Sequence, residues 1–169
     1  MSTLALRTFI RRCDQQALVL TSRLPAGLRP LVVGLSVAGH PVTVALALAL
    51  IALSRQPHAA RLAVLGLLAL PLSALLKQWF RRLRPATARA LGLYNYSFPS
   101  GHSYSAVIAA GCFTRLAPAP VVWATAIAGI LIASGVGLSR VYLGAHHATD
   151  VIAGWAAGLA VVGIIIGLT

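Results

Sequence analysis

A run of 23 residues without a Lys, Arg, Asp or Glu side chain, Leu31–Leu53, is the feature that most constrains how this chain can fold. Such a run is long enough to cross the ~30 Å hydrocarbon core of a bilayer as a helix. The composition favours the same environment: 59% of the residues are hydrophobic and only 9% are charged, whereas about 25% are charged in a typical soluble domain. We therefore expect a single membrane domain rather than a water-soluble fold.

Further apolar segments predict four more membrane-spanning helices. Pro71 predicts a kink in the second span, and the polar side chains of the third indicate a helix packed inside the bundle. Arginines mixed with apolar residues in the leader, Leu4–Leu20, are typical of an amphipathic helix in the head-group region. The predicted fold is thus all-α, a polytopic bundle of about five transmembrane helices (residues 31–169) after an interfacial leader (residues 1–30). The later predicted spans are Ala63–Leu76, Ser103–Leu116, Val121–Leu138 and Val151–Leu168.

The net charge of +12 indicates anionic partners. It arises from thirteen arginines and one lysine set against only Asp14 and Asp150. Membrane lipid head groups and phosphate-bearing substrates are both candidates. Nucleic acid is not expected, because the arginines are dispersed between apolar spans and form no basic stripe with interleaved aromatic residues. The sequence leaves the oligomeric state open.

Three polar clusters lie in segments that five crossings would place on one side of the membrane, residues 77–100 and 139–149. We therefore expect them to form one site at that surface. The clusters contain Lys77 and Arg84; Ser100, Gly101 and His102; and Arg140, His146 and Asp150.

The third cluster has the spacing of an activated histidine. His146 and Asp150 are four residues apart and share a face if the stretch is helical. A carboxylate that accepts from one ring nitrogen leaves the other nitrogen free to attack. Spacing does not exclude His147, three residues from Asp150, and an Asp that merely caps a helix is the simpler alternative.

The second cluster predicts a helix that begins at Ser100 and Gly101. Unpaired backbone N–H groups and the helix dipole make such an end a site for anions. His102 in the first turn can protonate a leaving alkoxide. Taken alone, however, the cluster is also compatible with an ordinary helix start.

The first cluster supplies cations for the same anion. Lys77 and Arg84 are about two helical turns apart, and Arg140 joins them from the third cluster. Fixed cations can stabilise the negative charge that develops in phosphoryl transfer. The alternative is a basic face at the membrane edge, formed by Arg81, Arg82, Arg84 and Arg89.

Histidine and carboxylate are also good metal ligands, so a metal site is a further alternative. The nearby arginines and lysine argue against it, because they would repel a bound cation. We therefore predict no metal. The ligands of such a site would be His102, His146, His147 and Asp150.

Together the clusters resemble the type 2 phosphatidic acid phosphatase (PAP2) family, which includes vanadium haloperoxidases and glucose-6-phosphatase. The three motifs of that family are present in order. The first, a Lys followed by six residues and then Arg-Pro, is present as KQWFRRLRP, and the second, Pro-Ser-Gly-His, follows as PSGH. The third, Ser-Arg followed by five residues, a His, three residues and an Asp, is present as SRVYLGAHHATD. The resemblance covers Lys77 to Asp150 at the level of these motifs. Coincidence is negligible for eleven fixed positions, each expected about once in twenty by chance.

The resemblance implies a role for each matched residue. His146 rather than His147 is implied to be the nucleophile, with Asp150 orienting it. His102 is implied to act first as general acid and then as base. The residues implied to bind phosphate are Lys77, Arg84, Ser100, Gly101 and Arg140.

The implied activity is hydrolysis of a lipid phosphomonoester or diphosphate through a phosphohistidine, without a metal or cofactor. Polyprenyl-linked and glycerophospholipid substrates both fit this expectation. The alternative is a non-catalytic membrane protein or transporter that binds anionic lipid.

The distribution of basic residues predicts the orientation of a multi-pass protein in the cell (inner) membrane. Eight Arg residues outside the phosphate clamp fall on the side of the site and three on the other side. By the positive-inside rule the site would face the cytoplasm. The eight are Arg7, Arg11, Arg12, Arg23, Arg29, Arg81, Arg82 and Arg89; the three are Arg55, Arg61 and Arg115.

Overall fold

The computed structural model describes residues 3–54, 56, 58–90, 92–93 and 95–169, and within these ranges the regular secondary structure is helical. Short 3₁₀ turns, Ala26–Leu28 and Ala119–Val121, precede two of the α-helices. The α-helices of the described residues are α1 (Thr3–Ser22), α2 (Arg29–Ala38), α3 (Pro41–Ala52), α4 (Ala59–Ala69), α5 (Leu72–Phe80), α6 (Ala86–Ala90), α7 (Gly101–Leu116), α8 (Val122–Tyr142) and α9 (Ala148–Gly167).

The predicted first span, Leu31–Leu53, is two helices rather than one. Helix α2 ends at Ala38, and α3 begins at Pro41 after His40, whose backbone is extended (φ −64°, ψ 134°). Proline disfavours a helical conformation in the residue before it and has no N–H to continue the helix. The Nδ1 atom of His40 instead accepts a hydrogen bond from the backbone N–H of Val42 at 3.2 Å.

The helix is interrupted at Pro71, the residue at which the sequence predicted a kink. Helix α4 ends at Ala69 and α5 begins at Leu72, yet the two together form an apolar stretch of 22 residues, Ala59–Phe80. Tyr104 of α7 is fully buried, and its hydroxyl donates to the carbonyl of Ala69 at 2.8 Å. This bond satisfies a carbonyl at the end of α4, where helices leave such groups unpaired.

Membrane-spanning character is clear, but the predicted count of five spans is not confirmed. Within the described residues, Ala59–Phe80, Ala119–Tyr142 and Ala148–Gly167 are long and apolar enough to cross a bilayer. A fourth span results if Leu4–Ser22 and Ala26–Ala38, which meet at 95°, are counted as one.

The leader is a helix, as predicted, because α1 covers Thr3–Ser22. Its position in the head-group region stays a prediction.

Helix α7 lies at the centre of the bundle. It packs against α3, α4, α5, α8 and α9, and its residues Tyr104, Ile108 and Cys112 belong to the largest buried cluster. The buried hydroxyl of Ser105 donates to the carbonyls of Gly39 and Gly101, at 2.7 and 2.8 Å. Because its polar side chains are satisfied internally, α7 can be more polar than a lipid-facing helix, as the sequence predicted.

Glycines allow α9 to approach α7 closely. A Cβ atom on Gly154 would lie 2.6 Å from the backbone oxygen of Ser100, and one on Gly158 would lie 2.8 Å from Cβ of Val107. Gly163, in the same helix, has nothing within 4 Å of that position. Small residues of this kind permit close packing of membrane helices, and here they bring the start of α9 to the start of α7.

We predict that Gly154→Ala destabilises the protein by about 1–3 kcal/mol, because the added methyl group meets a backbone oxygen that cannot move independently. The matched variant Gly163→Ala places the same methyl group in open space and should leave stability unchanged or slightly raised. Thermal unfolding of both variants in detergent, followed by circular dichroism, measures the difference. Equal unfolding temperatures would contradict the close contact.

Candidate active site

The Arg84 side chain joins the first cluster to the third. It is buried just beyond α5, and its Nε donates to the side-chain and backbone oxygens of Asn95 at 2.7 and 3.1 Å. Its Nη1 donates to the carbonyl of Ala145 at 2.7 Å and lies 3.1 Å from Nε2 of His146. A guanidinium group can only donate, so Nε2 is the acceptor and the ring proton lies on Nδ1. Burial lowers the pKa of Arg84, although Asp150 opposes this shift.

His146 and Asp150 form the buried pair that the spacing suggested. His146, between α8 and α9, is only 1% exposed, and its Nδ1 lies 3.6 Å from Oδ2 of Asp150, just beyond hydrogen-bond distance. The backbone N–H of His147 donates to the same Oδ2 at 2.9 Å. Asp150 therefore caps α9 and also faces His146. The two interpretations of this residue from the sequence, a helix cap and a partner of the histidine, are compatible.

Burial lowers the pKa of His146 to about 4, although the carboxylate of Asp150 opposes this shift. The imidazole is therefore neutral at neutral pH. A neutral ring with its proton on Nδ1 presents an unprotonated Nε2, the form that a nucleophilic histidine needs.

The second cluster is a helix N-terminus, as predicted. Ser100 is the N-cap of α7, and its Oγ accepts from the backbone N–H and the hydroxyl of Ser103 at 3.5 and 3.0 Å. The backbone N–H of Ser100 donates to the carbonyl of Asp150 at 2.9 Å. This main-chain bond ties the start of α7 to the start of α9. Ser100 itself is fully buried.

The remaining predicted residues lie at the same end of the bundle. The Nζ atom of Lys77 would be 3.5 Å from a Cβ on Gly101. Lys77, Arg140 and His146 all act electrostatically on His102. The structure thus brings all eight predicted site residues together, at the end of α5, the start of α7, the end of α8 and the start of α9.

Four site residues were not identified from the sequence. Arg140 Nη1 donates to the hydroxyl of Ser36, and the ring of His40 meets that of His102 edge-on with centroids 5.0 Å apart. Ser36 and His40 could have been identified from the sequence, because polar residues inside an apolar segment often belong to a functional site. The other two, Asp14 and Arg82, bond to each other and to the start of α9. Arg82 was counted with the basic membrane edge, yet it contacts Asp150.

Within the described residues, no group of three or more His, Cys, Asp or Glu side chains is placed to hold a metal ion. His146 instead lies between the carboxylate of Asp150 on its Nδ1 side and two cations, Arg84 and Arg140, that act on the same ring. Such an arrangement suits an anionic ligand such as phosphate.

A sequence model of the PAP2 superfamily matches residues 43–169, which include all three clusters. The chain belongs to the PAP2 superfamily. The resemblance inferred from the three motifs is therefore confirmed.

Two curated relatives show similar segments. Phosphatidylglycerophosphatase B of Bacillus subtilis (strain 168) is 40% identical over 95 residues, which are 52% of this chain and 46% of the relative. Undecaprenyl-diphosphatase of Sulfolobus acidocaldarius is 45% identical over 65 residues, which are 38% of this chain and 29% of the relative. The match thus spans less than half the length of either relative.

The fold is similar to that of a solved structure, described as the first transmembrane PAP2 type phosphatidylglycerolphosphate phosphatase from Bacillus subtilis. The TM-score is 0.75 at 24% sequence identity, and the match covers 98% of this chain and 87% of that chain. This similarity confirms the helical membrane fold.

We predict that His146 remains neutral, with its proton on Nδ1, from pH 8 down to about pH 5, because burial lowers its pKa to about 4. The ring nitrogens of ¹⁵N-histidine-labelled protein in detergent micelles report both protonation and tautomer. His146→Gln assigns the signal by removing it. Titration of that signal near pH 6.5, or a proton on Nε2, would contradict the arrangement.

Proposed function

We propose that this protein is a lipid phosphate phosphatase that acts through a phosphohistidine on His146. The observation that carries the proposal is the buried, neutral imidazole of His146, with Nε2 3.1 Å from Arg84 Nη1 and Nδ1 3.6 Å from Asp150. Membership of the PAP2 superfamily supports it, and both curated relatives carry the names of phosphatases.

When the phosphate anion binds beside it, His102 takes up a proton from solvent. In the first step, Nε2 of His146 attacks phosphorus and the bond between phosphorus and the lipid oxygen breaks, while His102 donates that proton to the leaving oxygen. Asp150 stabilises the imidazolium that forms, which requires its Oδ2 to close the 3.6 Å gap to Nδ1.

The transferring phosphoryl group carries its charge on three equatorial oxygens. Lys77, Arg84 and Arg140 neutralise that charge, and Arg84 exchanges its contact with Nε2 for one with a phosphate oxygen. Ser100 and Gly101 contribute the N-terminus of α7, whose backbone N–H groups point toward the anion.

In the second step, water attacks the phosphohistidine. His102, now neutral, takes a proton from that water, the bond between phosphorus and Nε2 breaks, and inorganic phosphate leaves. Both protein residues then return to their starting protonation states, so the cycle consumes one water and one lipid phosphate without a cofactor.

The position of the site supports a lipid substrate. The clusters lie where apolar helices α5, α7, α8 and α9 begin or end, so a phosphate whose tail remains in the bilayer can reach them. The names of the relatives point to a glycerophospholipid phosphate and a polyprenyl diphosphate. We propose a substrate of one of these two classes.

We predict that His146→Ala abolishes phosphate release, because it removes the nucleophile. His147→Ala is the matched control: it retains the backbone N–H that binds Asp150 and should keep most of the activity. The measurement is phosphate release by purified protein from phosphatidylglycerophosphate, phosphatidic acid and undecaprenyl diphosphate.

Mixing the wild type with ³²P-labelled substrate and quenching in alkali should trap an acid-labile phosphoenzyme, which His146→Ala should lack. Unchanged activity of a folded His146→Ala variant would overturn the mechanism. Binding of all three lipids without phosphate release would favour a non-catalytic lipid-binding protein instead.

We further propose that the protein lies in the cell (inner) membrane with its site on the cytoplasmic side. The support is the excess of basic residues on the side of the site. Helix α6 belongs to that side, because Thr87 Oγ1 donates to the carbonyl of Gly144 at 3.0 Å.

Single cysteines test this orientation in a background that carries Cys13→Ser and Cys112→Ala. Ala90 and Ala60 are exposed, at the end of α6 and the start of α4 respectively. In intact cells, a membrane-impermeant maleimide should label Ala60→Cys but not Ala90→Cys, and both should react after lysis. The reverse pattern would place the site outside the cytoplasm.

A further inference from the structure

Asp14, one of only two acidic side chains in the sequence, is buried against the candidate site although it belongs to the N-terminal helix α1. It is 2% exposed. Its Oδ1 accepts from the backbone N–H and the hydroxyl of Thr149, each at 3.0 Å. Thr149 stands in the first turn of α9, immediately before Asp150, so α1 caps the helix that carries Asp150.

Arg82 links the two carboxylates. Its Nη2 donates to Oδ2 of Asp14 at 2.6 Å, and its Nη1 donates to Oδ1 of Asp150 at 2.8 Å and to Oγ1 of Thr149 at 2.6 Å. These are charge-assisted bonds, which are shorter and stronger than neutral ones. The guanidinium is therefore held from both sides.

These bonds fix both oxygens of Asp150. Arg82 holds Oδ1, while Oδ2 accepts from the backbone N–H of His147 and faces Nδ1 of His146. Without Arg82, the carboxylate would be held only at Oδ2 and could pivot about that oxygen, which would change the angle at which Oδ2 faces the imidazole. Arg82 thus fixes the second oxygen and with it the orientation of Asp150, and Asp14 holds Arg82.

We propose that Asp14 and Arg82 are positioning residues for the reaction: through the chain Asp14–Arg82–Asp150 they orient the carboxylate that activates His146. The N-terminal helix is then part of the catalytic unit. This inference rests on the proposed phosphatase function of the same site. In this role neither Asp14 nor Arg82 contacts the substrate, because the guanidinium of Arg82 is bonded to the carboxylates of Asp14 and Asp150.

The alternative is that Asp14 merely ties α1 to the bundle. That role predicts a loss of stability, with the remaining folded protein as active per molecule as the wild type. A positioning role predicts slower formation of the phosphoenzyme in folded protein, with little change in substrate binding. Measurements of kcat, KM and the ¹⁵N signal of His146 distinguish the structural role from the positioning role.

The test variant is Asp14→Asn, which keeps the size of the side chain and one acceptor oxygen but removes the charge that holds Arg82. The probe is whichever of phosphatidylglycerophosphate, phosphatidic acid and undecaprenyl diphosphate the wild type hydrolyses fastest. We expect kcat and the single-turnover rate of phosphoenzyme formation to fall about 10–100-fold, the range found when the hydrogen-bond partners of metal-ligating histidines are changed. KM should change less than threefold, because the phosphate contacts remain.

Asp14→Glu retains the charge and should recover most of the lost kcat. The double variant Asp14→Asn/Arg82→Lys should be no slower than the slower single variant, because both changes act on one interaction. The ¹⁵N signal of His146 Nδ1 should shift in Asp14→Asn, since it reports the contact with Asp150.

Matched controls lie beside both residues. Arg81→Gln removes a neighbouring charge whose Nε bonds only within its own helix end, to the carbonyl of Gln78 at 3.1 Å among the described contacts. Gln15→Ala alters an exposed position next to Asp14. Both should keep wild-type kcat.

A folded Asp14→Asn variant with kcat within twofold of the wild type and an unchanged His146 signal would overturn this inference alone. If Asp14→Asn does not fold, the same criteria apply to Arg82→Lys and Asp14→Glu. A wild type that releases no phosphate from any of the three lipids would instead overturn the proposed function, and this inference with it.

Discussion

The buried Asp150 is the point on which the geometry of the site depends. Its main-chain carbonyl accepts from Ser100, one carboxylate oxygen accepts from Arg82, and the other accepts from His147 and faces His146. Because a buried charge is strongly unfavourable without partners, the bonds from Arg82 and from the His147 N–H stabilise the ionised carboxylate. The requirement brings together segments that are far apart in the sequence.

The same requirement determines which cations are available to a ligand. Arg82 contacts both acidic residues of the chain, so its charge is neutralised within the protein. Among the described residues Lys77, Arg84 and Arg140 make no ion pair with a carboxylate. Arg82 is therefore occupied by the acidic side chains, whereas the other three cations remain available to an anion such as phosphate. A count of charged residues cannot make this distinction.

Local features were predictable where local chemistry decides them. Pro71 interrupts a helix, and Ser100 begins one, because a missing N–H and a side-chain cap act within one turn. The matched motifs predicted the candidate site residues, and the structure brings these residues together at one end of the bundle. The break before Pro41 could have been predicted from the same effect of proline, but the long uncharged run was interpreted as a single span. Arg82 with Asp150, and Asp14 with Thr149, are 68 and 135 residues apart, and no periodicity encodes such pairs.

The bond from the N–H of Ser100 to the carbonyl of Asp150 uses main-chain atoms only. It is 2.9 Å long and links the helix that begins with Gly101 and His102 to the helix that follows His146. Residues that face the bilayer can therefore be exchanged without altering the atoms that join the starts of these two helices. For the proposed phosphatase, the preference for a lipid tail and the cleavage of the phosphate bond would then be separately adjustable.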